Sequence, residues 1–527
     1  MARAAYLAPG VYVEEIPSAQ QPIAGVGTNT VGFIGVVPDD IQCPVPNDAY
    51  DPTLALAAAA GPAGNEPQIK QVSDDIKNLE DRRTQAQQAL DQVNRQLGEE
   101  GLADNRRRTL EGQKQRREQE VQQLTNDIAA RNQRLQELRA PRAVDEKALK
   151  PYTLEPCKVS VDPCSTVLCT NFSEYTRRFG TFSADDPNTP GKALYPGHRA
   201  LTHAVYGFFK NGGTRCFVAR VKSDNAAEID RALSAMESID AIAIIAAPGL
   251  DGATIWDKLV AHCETCEDRF AILDCPADVE TNGELDVKLL AYESQNNVLP
   301  QRNKNAAFYF PYIEVVDPAK QMQDEDPARR VPLKYRGRVY VPPSGHIAGI
   351  YARTDEQRGV HKAPANAAVL GALNVKYYIG KPRQELLNPQ GVNCIRNMNG
   401  NINVWGARTI GGDKNAEWKY INVRRFFLFL RESIDEGTQW VVFEPNDYAL
   451  WGKIRRNVSA FLTNVWRTGA LFGMTPEEAF YVKCDAETNP PEVRDLGMVV
   501  TEIGVAIVRP AEFVIFRITQ STGPRSS

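Results

Sequence analysis

The spacing of apolar and polar positions changes several times along the chain, and each change marks a different element. Val11-Tyr12-Val13-Glu14-Glu15-Ile16 alternates apolar and polar side chains between Pro9-Gly10 and Pro17, which predicts a short, detached strand. Residues 18–29 carry Pro22, Gly25 and Gly27 with little to pack, so the expectation is a flexible tether spanning at most ~40 Å. Thr30 to Val37 is a continuous apolar run closed by Pro38, a buried strand.

Between Glu66 and Arg139 the apolar residues recur at alternating spacings of three and four, without a single aromatic or cysteine. Ile69, Val72, Ile76, Leu79, Ala86, Leu90, Val93 and Leu97 form one seam, interrupted at Arg83. Leu110, Val121, Leu124, Ile128, Leu135 and Leu138 form a second, interrupted at Lys114, Arg117 and Arg131. Gly98-Glu99-Glu100-Gly101 separates the two, so the pattern predicts an antiparallel coiled-coil hairpin whose first arm runs ~45–50 Å at 1.5 Å per residue.

From about Leu154 short strands and helices alternate. Strands are expected at 215–221, 241–246, 270–274 and 306–316, and helices at 198–209, 227–236 and 254–266, the pattern of a parallel sheet with right-handed crossovers. Leu450, Ile454, Val458, Phe461 and Val465 mark one face of a helix over 447–468 stopped by Gly469, and Thr475-Pro476-Glu477-Glu478 reads as a capping box. Two strands close the chain, at about 498–508 and 512–519. The second holds Phe513, Val514, Ile515, Phe516 and Ile518, is apolar on both faces, and would aggregate at an open edge unless covered. With a lone strand at each end, the expectation is that both ends complete sheets in neighbouring copies, making the chain a repeating unit of a polymer.

Composition narrows the function classes. A length of 527 residues leaves room for several domains, and a formal charge of −5 argues against a nucleic-acid-binding surface. No signal-peptide pattern and no apolar stretch of membrane-spanning length are present, which predicts assembly in the cytoplasm with the ten cysteines reduced. Charges balance across the hairpin, Arg106-Arg107-Arg108 included, so its outer faces are expected to be solvated.

Catalytic patterns are missing. The chain has neither a G-x-x-x-x-G-K-[ST] loop, nor G-x-G-x-x-G opening a helix, nor G-x-S-x-G. His262-Cys263-x-x-Cys266 with Cys275 has zinc-ligand chemistry, but His262 and Cys263 point about 100° apart on a helix, and both cysteines suit its inner face. His198 and His203 miss the i, i+4 spacing of a helical metal pair, and Pro342-Pro343-Ser344-Gly345 reads as a turn. The expectation is a protein that is not an enzyme and that holds no cofactor or metal.

Several blocks resemble the contractile tail sheath proteins of phages and phage-like injection systems. YLAPGVYVEEI (6–16) and VGTNTVGFIG (26–35) open the likeness. KNGGTRCFVARV (210–221), VPPSGHIAGIYARTDEQRGVHKAPAN (341–366), VWGARTI (404–410), FEPND (443–447), LWGKIRRNVSAFLTNVWRTGALFG (450–473), TPEEAFYVKCD (475–485) and PAEFVIFRI (510–518) follow in order. The hairpin departs from the family's usual pattern. The resemblance implies a mixed α/β, multidomain sheath subunit with terminal strand-exchange arms, polymerising as stacked hexameric rings around an inner tube and contracting to drive that tube through a target envelope. Val11, Tyr12, Val13, Glu14 and Ile16 would form one exchange arm, and Phe513, Val514, Ile515, Phe516 and Ile518 the other. Implied partners are neighbouring sheath subunits, the inner tube protein, and baseplate and terminator or cap proteins, without nucleic acid. The particle would be phage tail-like, released or anchored to a cell. The corresponding division is an arm and tether over 1–29, a first core strand over 30–40 and an insertion over 41–153 holding the hairpin at 66–139. An α/β domain over 154–370 and a C-terminal core over 371–527 complete it. With the tube filling the interior, the hairpin is expected to face outward, as a contact to a membrane or another partner or as a neutral insertion.

Overall fold

The computed structural model describes residues 22–60, 66–99, 102–139, 148–189 and 191–515. Val11, Tyr12, Val13, Glu14, Ile16, Phe516 and Ile518 lie outside the described residues. The chain divides into two units, one of residues 1–43, 154–321 and 337–527, the other of residues 44–153 and 322–336.

In chain order the elements begin with strands Val31–Val36 (β1) and Asp40–Pro46 (β2), then helices Pro52–Ala60 (α1), Glu66–Leu97 (α2) and Asp104–Arg139 (α3). Tyr152–Lys158 (β3), which pairs with β2, and Thr166–Cys169 (β4) precede helices Phe172–Phe179 (α4) and Pro196–Lys210 (α5). Strands Cys216–Val221 (β5), Ile244–Ala246 (β6) and Phe270–Asp274 (β7) then alternate with helices Ala226–Glu237 (α6) and Ala253–Cys266 (α7). A minimal hairpin, Glu280–Thr281 (β8) and Glu284–Leu285 (β9), leads to Ala306–Phe310 (β10) and Ile313–Val316 (β11), followed by helix Pro318–Asp324 (α8). Arg338–Val341 (β12), Ser344–Arg358 (α9), Ala367–Ala368 (β13), Ala372–Val375 (β14), Lys381–Leu387 (α10), Val392–Met398 (β15) and Asn401–Val404 (β16) complete the α/β part.

Among the described residues the main sheet of the first unit has nine strands in the order β13-β16-β15-β10-β7-β6-β1-β5-β4. Its six central strands run parallel and antiparallel pairing is confined to the outer strands β4, β16 and β13, as expected where helices cover both faces. The TVGFIGVV run sits at its centre: Val31 is in register with Cys216 on one side and Ile244 on the other. Helices α4, α5 and α9 close one face over Phe33, Val218 and Tyr309, whereas α6 and α7 close the other over Ile34, Ile245 and Phe308.

Two expectations fail here for local reasons. The 306–316 run is not one strand, because Pro311 interrupts it; β10 stays in the main sheet and β11 enters a separate sheet of order β12-β11-β14. Pro342-Pro343-Ser344-Gly345 is not a turn but the start of α9. Asp274, at the end of β7, accepts the Ser344 backbone N–H at 2.8 Å and the Ser344 hydroxyl at 2.6 Å, giving the helix start the acceptor it needs. Gly345 lets α9 cross α5 closely, since a Cβ there would sit 2.3 Å from Ala204 Cα.

In the second unit α3 turns back and packs along α2. Ile76, Ala86 and Leu90 are buried on one arm and Leu110, Leu124 and Ile128 on the other, all of them seam positions. The unit is not one continuous stretch, since α1 packs against residues 327–329, and the Arg329 guanidinium lies 5.9 Å from the Tyr152 ring centre.

Candidate assembly site

The last third of the first unit adds a helical layer. Ile421–Thr438 (α11) and Tyr448–Arg467 (α12) share a core built from Phe426, Leu430, Leu450, Ile454, Val458 and Phe461. Asp447 fixes the start of α12 by accepting the Leu450 N–H at 2.8 Å. The predicted capping box does not form: Pro476–Ala479 (α13) is a single turn, the Thr475 side chain makes no cap, and Glu478 reaches past Thr475 to accept the Met474 N–H at 2.8 Å.

Phe480–Lys483 (β17) follows, then Pro491–Asp495 (α14) and Glu502–Val505 (β18), so of the predicted 498–508 strand only the middle forms. β17 and β18 pair antiparallel, with Phe480 opposite Val505 and Val482 opposite Ile503, and these four pack on the helical core. On the outer face Tyr481 crosses Gly504, where a Cβ would sit 2.1 Å from the ring, and donates to Glu502 at 2.7 Å. This is a two-stranded sheet, and neither outer edge has a strand beside it among the described residues.

Residues 22–29 are fastened to this layer, and Glu512 to the loops that precede it. Residues 22–29 are not the tether expected of 18–29. Ile23 is buried against Gly437 of α11, where a Cβ would lie 2.6 Å away. The Val26 N–H donates to Ser433 Oγ at 3.1 Å, and Thr28 donates to Asp355 at 2.7 Å. Arg425, buried in α11, closes the arrangement with Nη2 2.9 Å from the Thr28 carbonyl and 2.6 Å from Asp355.

At the other end Glu512 is the anchor. Arg408 donates to it twice, at 2.9 and 2.8 Å, and Asn388 and Tyr420 add bonds of 2.7 and 3.0 Å. Partial burial opposes ionisation of this carboxyl, yet the Arg408 and Asn388 hydrogen bonds hold it below the usual range. Immediately beyond, Phe513, Val514 and Ile515 are 71%, 68% and 78% exposed and belong to no strand. Of the residues picked for the exchange arms, these three are described, and they stand at one exposed end. Sequence reasoning missed the anchor, although Glu512 is the one acidic residue at the head of an apolar run and Arg408 lies in the VWGARTI block.

The residues weighed for chemistry are spent on structure. Ser344 and Asp274 bond each other directly in the interior, while the buried His346 ring packs on Gly207. His198 Nε2 is 2.9 Å from the Phe179 carbonyl, and His203 Nε2 is 3.2 Å from Asp317. Cys263 is buried as expected, but Cys266 turns aside, its Sγ 3.7 Å from His262 Nε2, an atom that also faces Arg269 Nη1 at 3.1 Å. Burial, then the Arg269 charge, lowers the His262 pKa to about 4.

Comparison with known proteins decides what this architecture is. The phage tail sheath protein central domain matches residues 224–410, and the phage tail sheath C-terminal domain matches residues 413–521. This chain belongs to the phage tail sheath family. The tail sheath protein of Vibrio phage KVP40 is 28% identical over 188 residues, covering 35% of this chain and 26% of that protein, so the match spans about a quarter of the relative's length. Among solved structures, the sheath of PVC, an extracellular contractile injection system, in its contracted state is 27% identical. It has a TM-score of 0.55, covering 69% of this sheath protein and 88% of that chain. The contracted helical sheath of the anti-feeding prophage shares the fold along nearly the whole length, with a TM-score of 0.57 and 21% identity over 98% of this chain and 100% of that one. The family is one of structural sheath proteins. No described helix is long and apolar enough to cross a membrane.

Proposed function

We propose that this chain is the subunit of a contractile sheath, polymerising as stacked hexameric rings around an inner tube and contracting from a metastable extended state to drive the tube through a target envelope. The observation that carries this is the β17–β18 sheet. Two strands alone are a marginal sheet, neither outer edge has a strand beside it among the described residues, and Phe513–Ile515 of the same chain stand exposed without a ladder. Strands from neighbouring copies, 11–16 from one and 513–518 from another, complete such a sheet, linking subunits so that they slide without separating. The neighbours, the tube, and the baseplate and cap proteins are the partners this reading requires, with assembly in the cytoplasm. The seam residues of α2 and α3 support a coiled coil as the form of the hairpin.

Contraction draws on association energy. An extra ~400 Å² of apolar surface buried per subunit supplies at most ~10 kcal/mol at ~25 cal/mol per Å², before ordering and polar desolvation reduce it, and many subunits multiply the remainder. Deletion of residues 1–20 tests the linkage. The shortened chain is expected to be folded and soluble and not to polymerise; sheaths of normal length seen by negative-stain microscopy would refute strand exchange.

A further inference from the structure

The charges of the hairpin balance in total but not in place. The half nearest its tip, residues 82–117, holds nine arginines and lysines against five acids; the rest of the hairpin, residues 66–81 and 118–139, holds nine acids against five bases. Folding back puts these on opposite halves of one rod, because residue 82 of α2 and residue 117 of α3 lie at similar distances from the turn. The hairpin therefore has a distal half of net +4 and a proximal half of net −4.

Its own fold does not use this separation. The ion pairs found in it, Lys114–Glu118, Arg117–Glu120 and Arg134–Glu137, all lie within α3, and none bridges the two arms among the described residues. Arg106, Arg107 and Arg108 are exposed in the opening turns of α3, where the positive end of the helix dipole disfavours cations, so local helix stability does not account for them.

We propose that the hairpin is a docking rod for a second copy of this chain, its basic distal half lying against the acidic proximal half of the next hairpin. A second copy is the occupant because the complementary charge, equal in size and spread over an equal length, is carried by the same rod. Copies that point the same way satisfy it with a stagger of half an arm, ~24 Å at 1.5 Å per residue, a head-to-tail contact that propagates. The idea rests on the sheath reading only in requiring copies side by side, and salt separates the two. Contacts between oppositely charged exposed faces weaken as the screening length falls below ~10 Å above ~0.1 M salt, whereas strand exchange does not depend on it.

The test uses the full chain and two triple variants, Arg106→Glu/Arg107→Glu/Arg108→Glu and Asp74→Lys/Glu80→Lys/Asp81→Lys, all at exposed positions. In sedimentation velocity over a salt series, the natural chain is expected to show a salt-sensitive association that each variant alone loses by at least tenfold. An equimolar mixture of the two variants should restore it, since one rod is then acidic throughout and the other basic. If a reversal lowers helix content by circular dichroism, glutamine at the same positions replaces it, and the natural chain's association should still fall. Variants that sediment like the natural chain at every salt, or a mixture that restores nothing, would overturn the proposal. So would loss, in the arginine variant, of binding to phosphatidylserine vesicles alone, which would assign the basic half to a membrane. Strand exchange is judged separately by the deletion of residues 1–20.

Discussion

Asp274 shows how far a single residue can be moved from its ordinary chemistry by its place in a sheet. It ends a central parallel strand, is almost fully buried, and faces the start of α9. Burial raises its pKa to about 7, although both hydrogen bonds from Ser344 pull it down. The folded chain then holds a proton that the unfolded chain has released above the usual carboxylate value, so this group's contribution to stability falls as pH rises from about 4 to about 7 and is flat above that. Asp274→Asn removes the effect and keeps an acceptor for the Ser344 N–H. The stability difference between variant and natural chain, from urea unfolding, should be small at pH 4 and favour the variant by about 2–4 kcal/mol at pH 8, at ~1.4 kcal/mol per pKa unit. A difference that does not change with pH would show that the carboxyl is ionised in the fold. Sequence gave no access to this pairing: Asp274 and Ser344 are far apart in the chain, and proline-rich composition around Ser344 pointed to a turn.

At the level of elements, legibility followed the length of the pattern. The two arms of the hairpin were readable almost to their ends because seam residues repeat over many turns, and α12 because five apolar residues mark one face. Residues 22–29 were unreadable, since Ile23 and Val26 stand between Pro22, Gly25 and Gly27 and are too few to set up a periodicity. The burial of Ile23 comes from a gap on α11 at Gly437 that only the tertiary structure displays. Ile23→Ala should cost about 2–4 kcal/mol, in the range for truncating a buried isoleucine. Hydrogen exchange should speed up in α11 before it does in the main sheet. Unchanged protection there would mean that the segment rests on the surface without support. The β10–β11 run failed for the opposite reason: its apolar pattern continued through Pro311, and only the proline marked where the sheet is left.

For the molecule as a whole, the Arg408–Glu512 pair is where the fold would meet the proposed strand exchange. Arg408 is almost fully buried and is held by Asp413 and the Asn388 carbonyl as well as by Glu512, so the point where the exposed C-terminal segment departs is fixed in space. Removing one member of a buried pair costs ~3–5 kcal/mol, and partial exposure of Glu512 reduces this to about 2. Arg408→Ala is expected to leave a folded chain, by circular dichroism, that assembles poorly because Glu512 and residues 513–515 lose their anchor. Sheaths of normal length and number from this variant would separate the anchor from assembly.

The composition of the second unit sets what can be exchanged between relatives. Because α1 is covered by residues 327–329, contributed from far along the chain, the transferable cassette is narrower than the unit that contains it. A clean transplant takes residues 66–139 and leaves α1 with its late-arriving cover, whereas lifting out 44–153 in one piece orphans the 322–336 segment in the recipient. Length variation among sheaths carrying such a rod should accordingly concentrate beyond α1, in whole turns of paired helix.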